Sequence, residues 1–431
     1  MSTGAPTAAG ARAAASRVTL EIESIGAGGV GVARVEGRVV FVPRTAPHDR
    51  ADVRLDPADD EARFRHGHVE RLIAPGPDRV EPACPHYTRD DCGGCQLQHL
   101  APSAQLVAKQ GIIRDAFQRI AKRPLAVAPE VRTGPSPWRY RRSLSLHFRP
   151  VGAGQWRAGM HAHDAPGTVF TLDDCLITRE SVVAALRAVV AAGAHLPAWD
   201  GLRVTARESP SGIALLVEGG ERWSDAEAAQ LLTAVPVLSA VWWHPHRGRR
   251  RLVADRRAAA EPGASFAQVN AEVAALLRVH LLERTRAFEP RTVIDAYAGA
   301  GDTAIPLAMW GARVTAIELD AEASRWCASQ LPAGSAALAA RVEEALPLAL
   351  PADVVIVNPP RDGLAAKVTA ALDAAASATR AILYVSCNPA TLARDVARLP
   401  HWRVANVLAF DMFPQTAHVE TVCELVPEDA A

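Results

Sequence analysis

Two short segments near the C-terminal end of the chain carry residues suited to covalent catalysis. The first reads Tyr384-Val385-Ser386-Cys387-Asn388-Pro389, and the second Met412-Phe413-Pro414-Gln415-Thr416-Ala417-His418-Val419-Glu420. Cys387 follows an apolar, strand-like run, and Glu420 follows a Pro-Thr turn, so together they offer a nucleophile and a base. A thiolate adds to an electron-poor ring carbon, and a carboxylate removes a proton from the carbon beside it. Carbon methylation of a pyrimidine requires this pairing. The C5 carbon of uracil is a poor nucleophile until a thiolate attacks C6; C5 then takes a methyl group, and loss of the C5 proton expels the thiolate. The two groups must flank a base flipped out of its stack. A lone strand-end cysteine is more often a small core residue, but the polar Ser-Cys-Asn-Pro surroundings argue against that here. A lone glutamate is more often a solvated strand residue, so Glu420 takes its meaning from its company. A free thiol has a pKa of about 8.5, so nearby positive charge would help Cys387 ionise.

The elements that must position this pair read as an α/β domain starting near Pro262. Val293-Ile294-Asp295 leads into Gly299-Ala300-Gly301 and a helix. Arg313-Val314-Thr315-Ala316-Ile317-Glu318 is a second strand tipped by an acid, and Val354–Asn358 and Ala381–Val385 are two more. Strands alternating with helices predict a doubly wound sheet with its site at the strand C-terminal ends. The glycines admit a ligand close to the backbone, and Glu318 is placed to accept hydrogen bonds from ribose hydroxyls. Nicotinamide and S-adenosylmethionine (SAM) folds share this acid-tipped strand. The missing third glycine of the dinucleotide fingerprint and the turn Val357-Asn358-Pro359-Pro360-Arg361 favour SAM. An Asn-Pro-Pro turn also marks amino-group methyltransferases of adenine or guanine. Those place an aromatic after Pro-Pro, where this chain has Arg361, and they need no cysteine.

Upstream, residues 17–75 alternate apolar and polar positions between glycine corners such as Gly26-Ala27-Gly28-Gly29, which predicts a small β-barrel. Ala74-Pro75-Gly76-Pro77 signals a linker. Apolar spacing predicts a helix over 98–122, and 138–260 reads as strand-rich with a helix at about 180–192. Cys84, Cys92 and Cys95 form C-x7-C-x2-C, with Cys175 as a plausible fourth ligand. Four thiolates suit zinc or an iron–sulfur cluster, and spacing alone does not choose.

Hydrophobic residues make up 49% and charged residues 22% of the 431-residue chain, as in ordinary soluble proteins. No apolar run approaches the roughly 18 residues of a membrane span. The first sixteen residues, rich in Ala, Gly, Ser and Thr, lack a signal-peptide core, so a disordered tail and a cytoplasmic protein are expected. Such a protein would not hold its seven cysteines as structural disulfides. The formal net charge is zero, which argues only weakly against nucleic-acid binding. With three lysines, nearly all positive charge is arginine. It clusters at Trp138-Arg139-Tyr140-Arg141-Arg142 and His246-Arg247-Gly248-Arg249-Arg250-Arg251, where arginines beside aromatics suit RNA phosphates.

Taken together, these segments resemble the RNA uracil-C5 (5-methyluridine) methyltransferase family. The resemblance rests on Ser-Cys-Asn-Pro with Thr391, Leu392 and Asp395, on Phe-Pro-x-Thr-x-His-x-Glu at Phe413 to Glu420, and on Phe266-x-Gln268-x-Asn270. It implies SAM as cofactor, contacted by Gln268, Tyr297, Asp302 and Glu318, with Cys387 as nucleophile and Glu420 as base. Asn358 stands where the family usually has Asp, at a position that orients SAM or the uracil edge. The cysteine segment resembles the family's 4Fe-4S segment with two extra residues between the first cysteines; this implies a structural or RNA-positioning cluster on Cys84, Cys92, Cys95 and Cys175, with zinc as the alternative. The barrel resembles the OB-like TRAM domain. The whole implies a multidomain α/β protein: a tail at 1–16, a barrel at 17–75, a central mixed α+β iron–sulfur and RNA-binding domain at 76–261, and a SAM-dependent methyltransferase domain at 262–431. This arrangement is that of the branch acting on 23S ribosomal RNA. Transfer RNA, an amino-group methylation of a purine, and a non-catalytic RNA-binding iron–sulfur protein are the alternatives. No membrane and no protein partner is implied.

Overall fold

The computed structural model describes residues 16–57, 63–165, 167–258 and 268–428, so nearly all of the expected tail and Phe266 lie outside the described residues. The chain divides into two compact units: residues up to Ala83 with Cys95–Ile112 and Gln415–Ala417, and Cys84–Gly94 with Ile113–Pro414 and His418 onward.

The second unit holds the sheet that organises the site. Its strands are β1 (Val131–Arg132), β2 (Thr292–Ala296), β3 (Arg313–Glu318), β4 (Ala336–Ala339), β5 (Val354–Val357), β6 (Ala381–Ser386), β7 (Trp402–Phe410) and β8 (Glu420–Pro427). They lie in the order β4-β3-β2-β5-β6-β8-β7-β1. Strands β2 to β6 are parallel, whereas β8 runs antiparallel between β6 and β7. Every residue of β5 and β6 is buried, as expected of strands covered on both faces. Alternation divides them between two cores. Ile294, Val355, Val357, Ile382 and Tyr384 face Leu346, Leu372, Leu392 and Val396; Val293, Val354, Ile356, Leu383 and Val385 face Leu277, Leu281 and Leu307. The covering helices are α1 (Ala271–Ala287), α2 (Ala304–Trp310), α3 (Ala321–Gln330), α4 (Val342–Ala349), α5 (Ala366–Ala374) and α6 (Pro389–Ala397).

The same unit contains a seven-stranded sheet built from residues 143–255, covered by helices Glu180–Ala191 and Asp225–Ala234. The first helix matches the expectation at about 180–192. The second was not anticipated, although Ser224 and Glu227 form a reciprocal capping box that marks its start.

In the first unit six strands between Arg17 and Ala74 form one sheet, with Arg17–Glu21 and Ser24–Ile25 at the two ends of its strand order, and pack a core of Leu20, Ile22, Ala33, Val40, Val42, Ala51, Val53 and Leu55. Asp49 is fully buried beneath it. Burial alone would raise its pKa, but hydrogen bonds from Arg79 and from the Gly76 and Ala46 amides outweigh this and hold the carboxyl below its usual range. The helix expected over 98–122 is shorter. It runs Pro102–Ala116, opened by a proline suited to a first turn, and ends in a π-helical turn at Phe117–Ala121. Lys122, at φ +58°, is left-handed and cannot continue it.

Candidate active site

Because β2, β3, β5 and β6 are parallel and β8 is antiparallel, the C-terminal ends of the first four and the start of β8 share one edge of the sheet. Ser386, the last residue of β6, pairs with Thr421. The next residue on one strand is Cys387, and the preceding residue on the other is Glu420. Sheet register therefore brings together a thiol and a carboxylate separated in sequence by α6 and β7. Their fields interact: burial and then the Glu420 charge push the Cys387 pKa up. Glu420 is 3% exposed, and burial pushes its pKa up to about 8. Arg361, exposed on the turn after β5, pulls both groups back, with a side-chain hydrogen bond to Cys387 and its charge on Glu420. It is the cation that the thiol calls for, although burial still dominates in this state.

The turn around Cys387 is braced. The Asn388 amide donates to Ser386 Oγ at 3.1 Å, and Asn388 Oδ1 accepts from the Ala390 amide at 3.1 Å, capping α6. Cys387 thus sits just before a helix N-terminus, whose dipole favours a thiolate. Asn388 Nδ2 and Thr391 Oγ1 both donate to the Arg361 carbonyl, at 3.2 and 3.1 Å, which ties the Arg361 turn to the nucleophile turn. Asp395 anchors the same region from below. Fully buried, it accepts from the Tyr384 hydroxyl at 2.8 Å, the Leu364 amide at 2.7 Å and Arg394 Nε at 2.9 Å.

Alongside lies a ligand cradle. Tyr297 adopts φ +63°, and Gly299 and Gly301 follow at +56° and +92°. A side chain on Gly301 would strike Cys327 Sγ at 2.6 Å, whereas one on Gly299 would meet no atom, so the space over Gly299 is open. The Glu318 carboxylate accepts from the Gly299 amide at 2.9 Å and the Asp320 amide at 2.7 Å, which fixes it at the tip of β3. Asp295, buried beneath, has an oxygen without a hydrogen-bond partner among the described residues. Burial, then the charges of Asp302 and Glu318, push its pKa up to about 7. A buried acid at a glycine turn beside an acid-tipped strand suits a ligand that carries an amino group and a ribose. Tyr297 is half-buried, its hydroxyl pushed up to about 12 by burial and then by the charges of Glu343 and Asp395. The Asn358 amide donates to Ala296 O at 3.2 Å, holding the turn after β5 beside the cradle. Gln268 is half-buried and Asp302 exposed.

Of the four cysteines expected to bind a cluster, Cys84, Cys92 and Cys175 belong to the second unit and Cys95 to the first. The charges of Cys84 and Cys175 interact. The Gly94 amide donates to Cys92 Sγ at 3.4 Å, and Thr178 Oγ1 to Cys175 Sγ at 3.2 Å. Among the described residues no disulfide forms, and no three His, Cys, Asp or Glu side chains converge as one metal ion would require. Two arginines of the first cluster are paired with carboxylates, Arg139 with Asp174 at 2.6 Å and Arg142 with Glu208 at 3.2 Å, whereas the buried Arg141 Nε has no hydrogen-bond partner among the described residues. Sequence reasoning passed over Arg361 as an active-site cation, Asp295, and the anchoring role of Asp395. An arginine after Pro-Pro and an aspartate six residues past the Asn-Pro were the available signals.

A doubly wound sheet whose strand ends carry a glycine turn and an acid-tipped strand is the architecture of a SAM-dependent methyltransferase. Comparison with known proteins makes this specific. Residues 348–426 match the tRNA (Uracil-5-)-methyltransferase family and residues 15–61 the TRAM domain. The 23S rRNA (uracil(1939)-C(5))-methyltransferase RlmD of Thiobacillus denitrificans is 30% identical, covering 94% of this chain and 98% of that protein. An uncharacterised RNA methyltransferase of Thermosynechococcus vestitus is 31% identical, covering 95% and 97%. The fold matches Pyrococcus abyssi tRNA (uracil-54, C5)-methyltransferase, solved with S-adenosyl-L-homocysteine, with a TM-score of 0.67 at 22% identity, covering 94% of this chain and 99% of that one. The chain belongs to the RNA uracil-C5 methyltransferase family.

Proposed function

We propose that this enzyme methylates C5 of a uridine in 23S ribosomal RNA. The observation that carries the reading is the pairing of β6 with β8, which sets Cys387 across from Glu420 at the cofactor edge of the sheet. The near full-length similarity to RlmD favours ribosomal over transfer RNA.

The cradle residues fit SAM. Asp295, Asp302, Gln268 and the open face over Gly299 would hold its amino-acid end, Glu318 its ribose, and Tyr297 and Asn358 the space next to the base. Bound there, SAM would supply the methyl group as an electrophile. The remaining work falls to the chain. Arg361 and the α6 N-terminus favour the Cys387 thiolate, whose sulfur bonds to C6 of the flipped uracil and makes C5 nucleophilic. Once C5 is methylated, Glu420 takes the C5 proton, the ring double bond re-forms and the Sγ–C6 bond breaks. A carboxylate with its pKa near 8 is a stronger base than an exposed one and is suited to a carbon acid. An Asn at 358 presents an amide oxygen and an amide N–H, a pair that complements the N3–H and O4 of uracil.

Cys84, Cys92, Cys95 and Cys175 are proposed to bind a 4Fe-4S cluster with a structural or RNA-positioning role. The amide and hydroxyl donated to Cys92 and Cys175 sulfur support it, since such donors stabilise thiolate ligands. No redox step enters the reaction. Among the described residues no helix is long and apolar enough to cross a membrane, and a cytoplasmic site of action fits an RNA substrate. The test is mass-spectrometric mapping of 5-methyluridine in RNA from a strain lacking this enzyme. Loss of one 23S site supports the reading, while a loss confined to transfer RNA would move the substrate there.

A further inference from the structure

We infer that the loop between strands Leu238–His244 and Arg251–Asp255, together with the adjoining face of α3, forms a groove for single-stranded RNA leading away from the target uridine. This rests on the RNA reading above. The loop is the second arginine cluster, and unlike the first it holds unpaired arginines that are exposed. His246 stacks on Trp199 with ring centroids 5.1 Å apart. Arg250 bonds Asp320 at 2.7 Å and also reaches Glu322. Arg251 binds Asp225 at 2.6 Å and lies over Trp243, and Arg257 binds Asp255 at 2.8 Å and lies over Trp242. The acids lining the groove, Asp255, Asp320 and Glu322, are thereby answered. Arg247, Arg249 and Arg325 are exposed and make no side-chain hydrogen bond or ion pair among the described residues. The surplus charge of this face is therefore positive and points outward.

The groove has a volume of about 1240 Å³. Its floor is apolar and open: Leu252 is 41% and Leu319 61% exposed, with half-buried Trp326 beside them. Arginines at the rim for phosphates and an apolar, aromatic floor for bases suit an unpaired strand, since the bases of a duplex face inward. The Arg250–Asp320 bond fixes the loop two residues beyond Glu318, so the groove opens at the sheet edge that carries the cofactor cradle and Cys387. A strand leaving the active site over the β3 end would enter it.

The test compares the wild type with Arg247→Ala/Arg249→Ala/Arg325→Ala and with the matching triple lysine variant, using an RNA fragment that the wild type methylates. Without these three guanidinium groups to meet phosphates, the alanine variant should bind RNA roughly tenfold more weakly at ~0.1 M salt. The slope of log affinity against log salt should flatten by about 2. SAM affinity and the maximal rate at saturating RNA should be unchanged, and the lysine variant should keep the wild-type slope. Unchanged RNA affinity and slope in the alanine variant would show a merely solvated face and overturn the groove. So would a lysine variant as impaired as the alanine one. A wild type that methylates no RNA would overturn the enzyme reading itself, which separates the two failures.

Discussion

Replacing Glu420 by Gln should make the protein more stable while making it nearly inactive. The carboxyl has a reference pKa of 4.5 and is pushed by burial to about 8 in the folded enzyme. Between those values the folded state binds a proton that the unfolded state has released, so Glu420 costs stability as pH rises from 4.5 toward 8. At 1.36 kcal/mol per pKa unit, the cost is about 2 kcal/mol at pH 6, about 3 at pH 7 and nearly 5 at pH 9. Gln matches the neutral acid in shape and does not titrate, so the variant recovers these amounts. For a domain of this size, ~3 kcal/mol corresponds to a melting temperature higher by roughly 6–12 °C at pH 7. In the proposed mechanism the same change removes the base. Turnover should fall by about 10²–10⁴-fold, and the methylated RNA should remain bonded to Cys387. The assays are denaturant and thermal unfolding of both proteins at pH 6 to 9, with gel separation of the covalent complex. A variant no more stable than the wild type, with a stability difference flat in pH, would refute the burial argument. Ordinary turnover would remove Glu420 as the base.

Asp395→Asn should weaken the buried hub that binds Tyr384, Leu364 and Arg394; urea unfolding should show a loss of about 3 kcal/mol, with slower turnover because the Arg361 turn loosens. Gly301→Ala forces a side chain into φ +92° against Cys327 Sγ at 2.6 Å; calorimetric titration should show SAM binding weakened at least tenfold. Anaerobically purified protein should be brown, with iron and sulfide near four each by chemical assay, and Cys175→Ser should lower both; a colourless protein holding zinc would overturn the cluster.

Much of the catalytic sheet was legible because its strands are long apolar runs ending in turn chemistry: Val354–Val357 before Asn-Pro-Pro, and Ala381–Ser386 before Cys-Asn-Pro. Residue types also gave Cys387 and Glu420 as candidates. Their meeting was not legible, because it depends on β8 inserting antiparallel between β6 and β7, and periodicity carries no strand order. β1 was invisible for a related reason: two residues beside β7 leave no pattern. Arg361 looked like a departure from an aromatic until the Cys387 and Arg361 turns were seen to share hydrogen bonds. The arginine clusters looked alike in sequence. Only burial and carboxylate partners distinguish the set at 139–142, with Arg139 and Arg142 paired and Arg141 partly buried, from the set at 247–251, where Arg247 and Arg249 are exposed.

The covalent adduct at Cys387 is the central claim, and RNA carrying 5-fluorouridine at the target tests it most directly. Fluorine at C5 leaves no proton for Glu420, so the sequence should stop with sulfur on C6 and methyl and fluorine on C5. Digestion and mass spectrometry should find that nucleotide, methylated, on the peptide containing Cys387, and nothing in Cys387→Ala. An adduct on another residue, or full methylation of ordinary RNA by Cys387→Ala, would contradict the account.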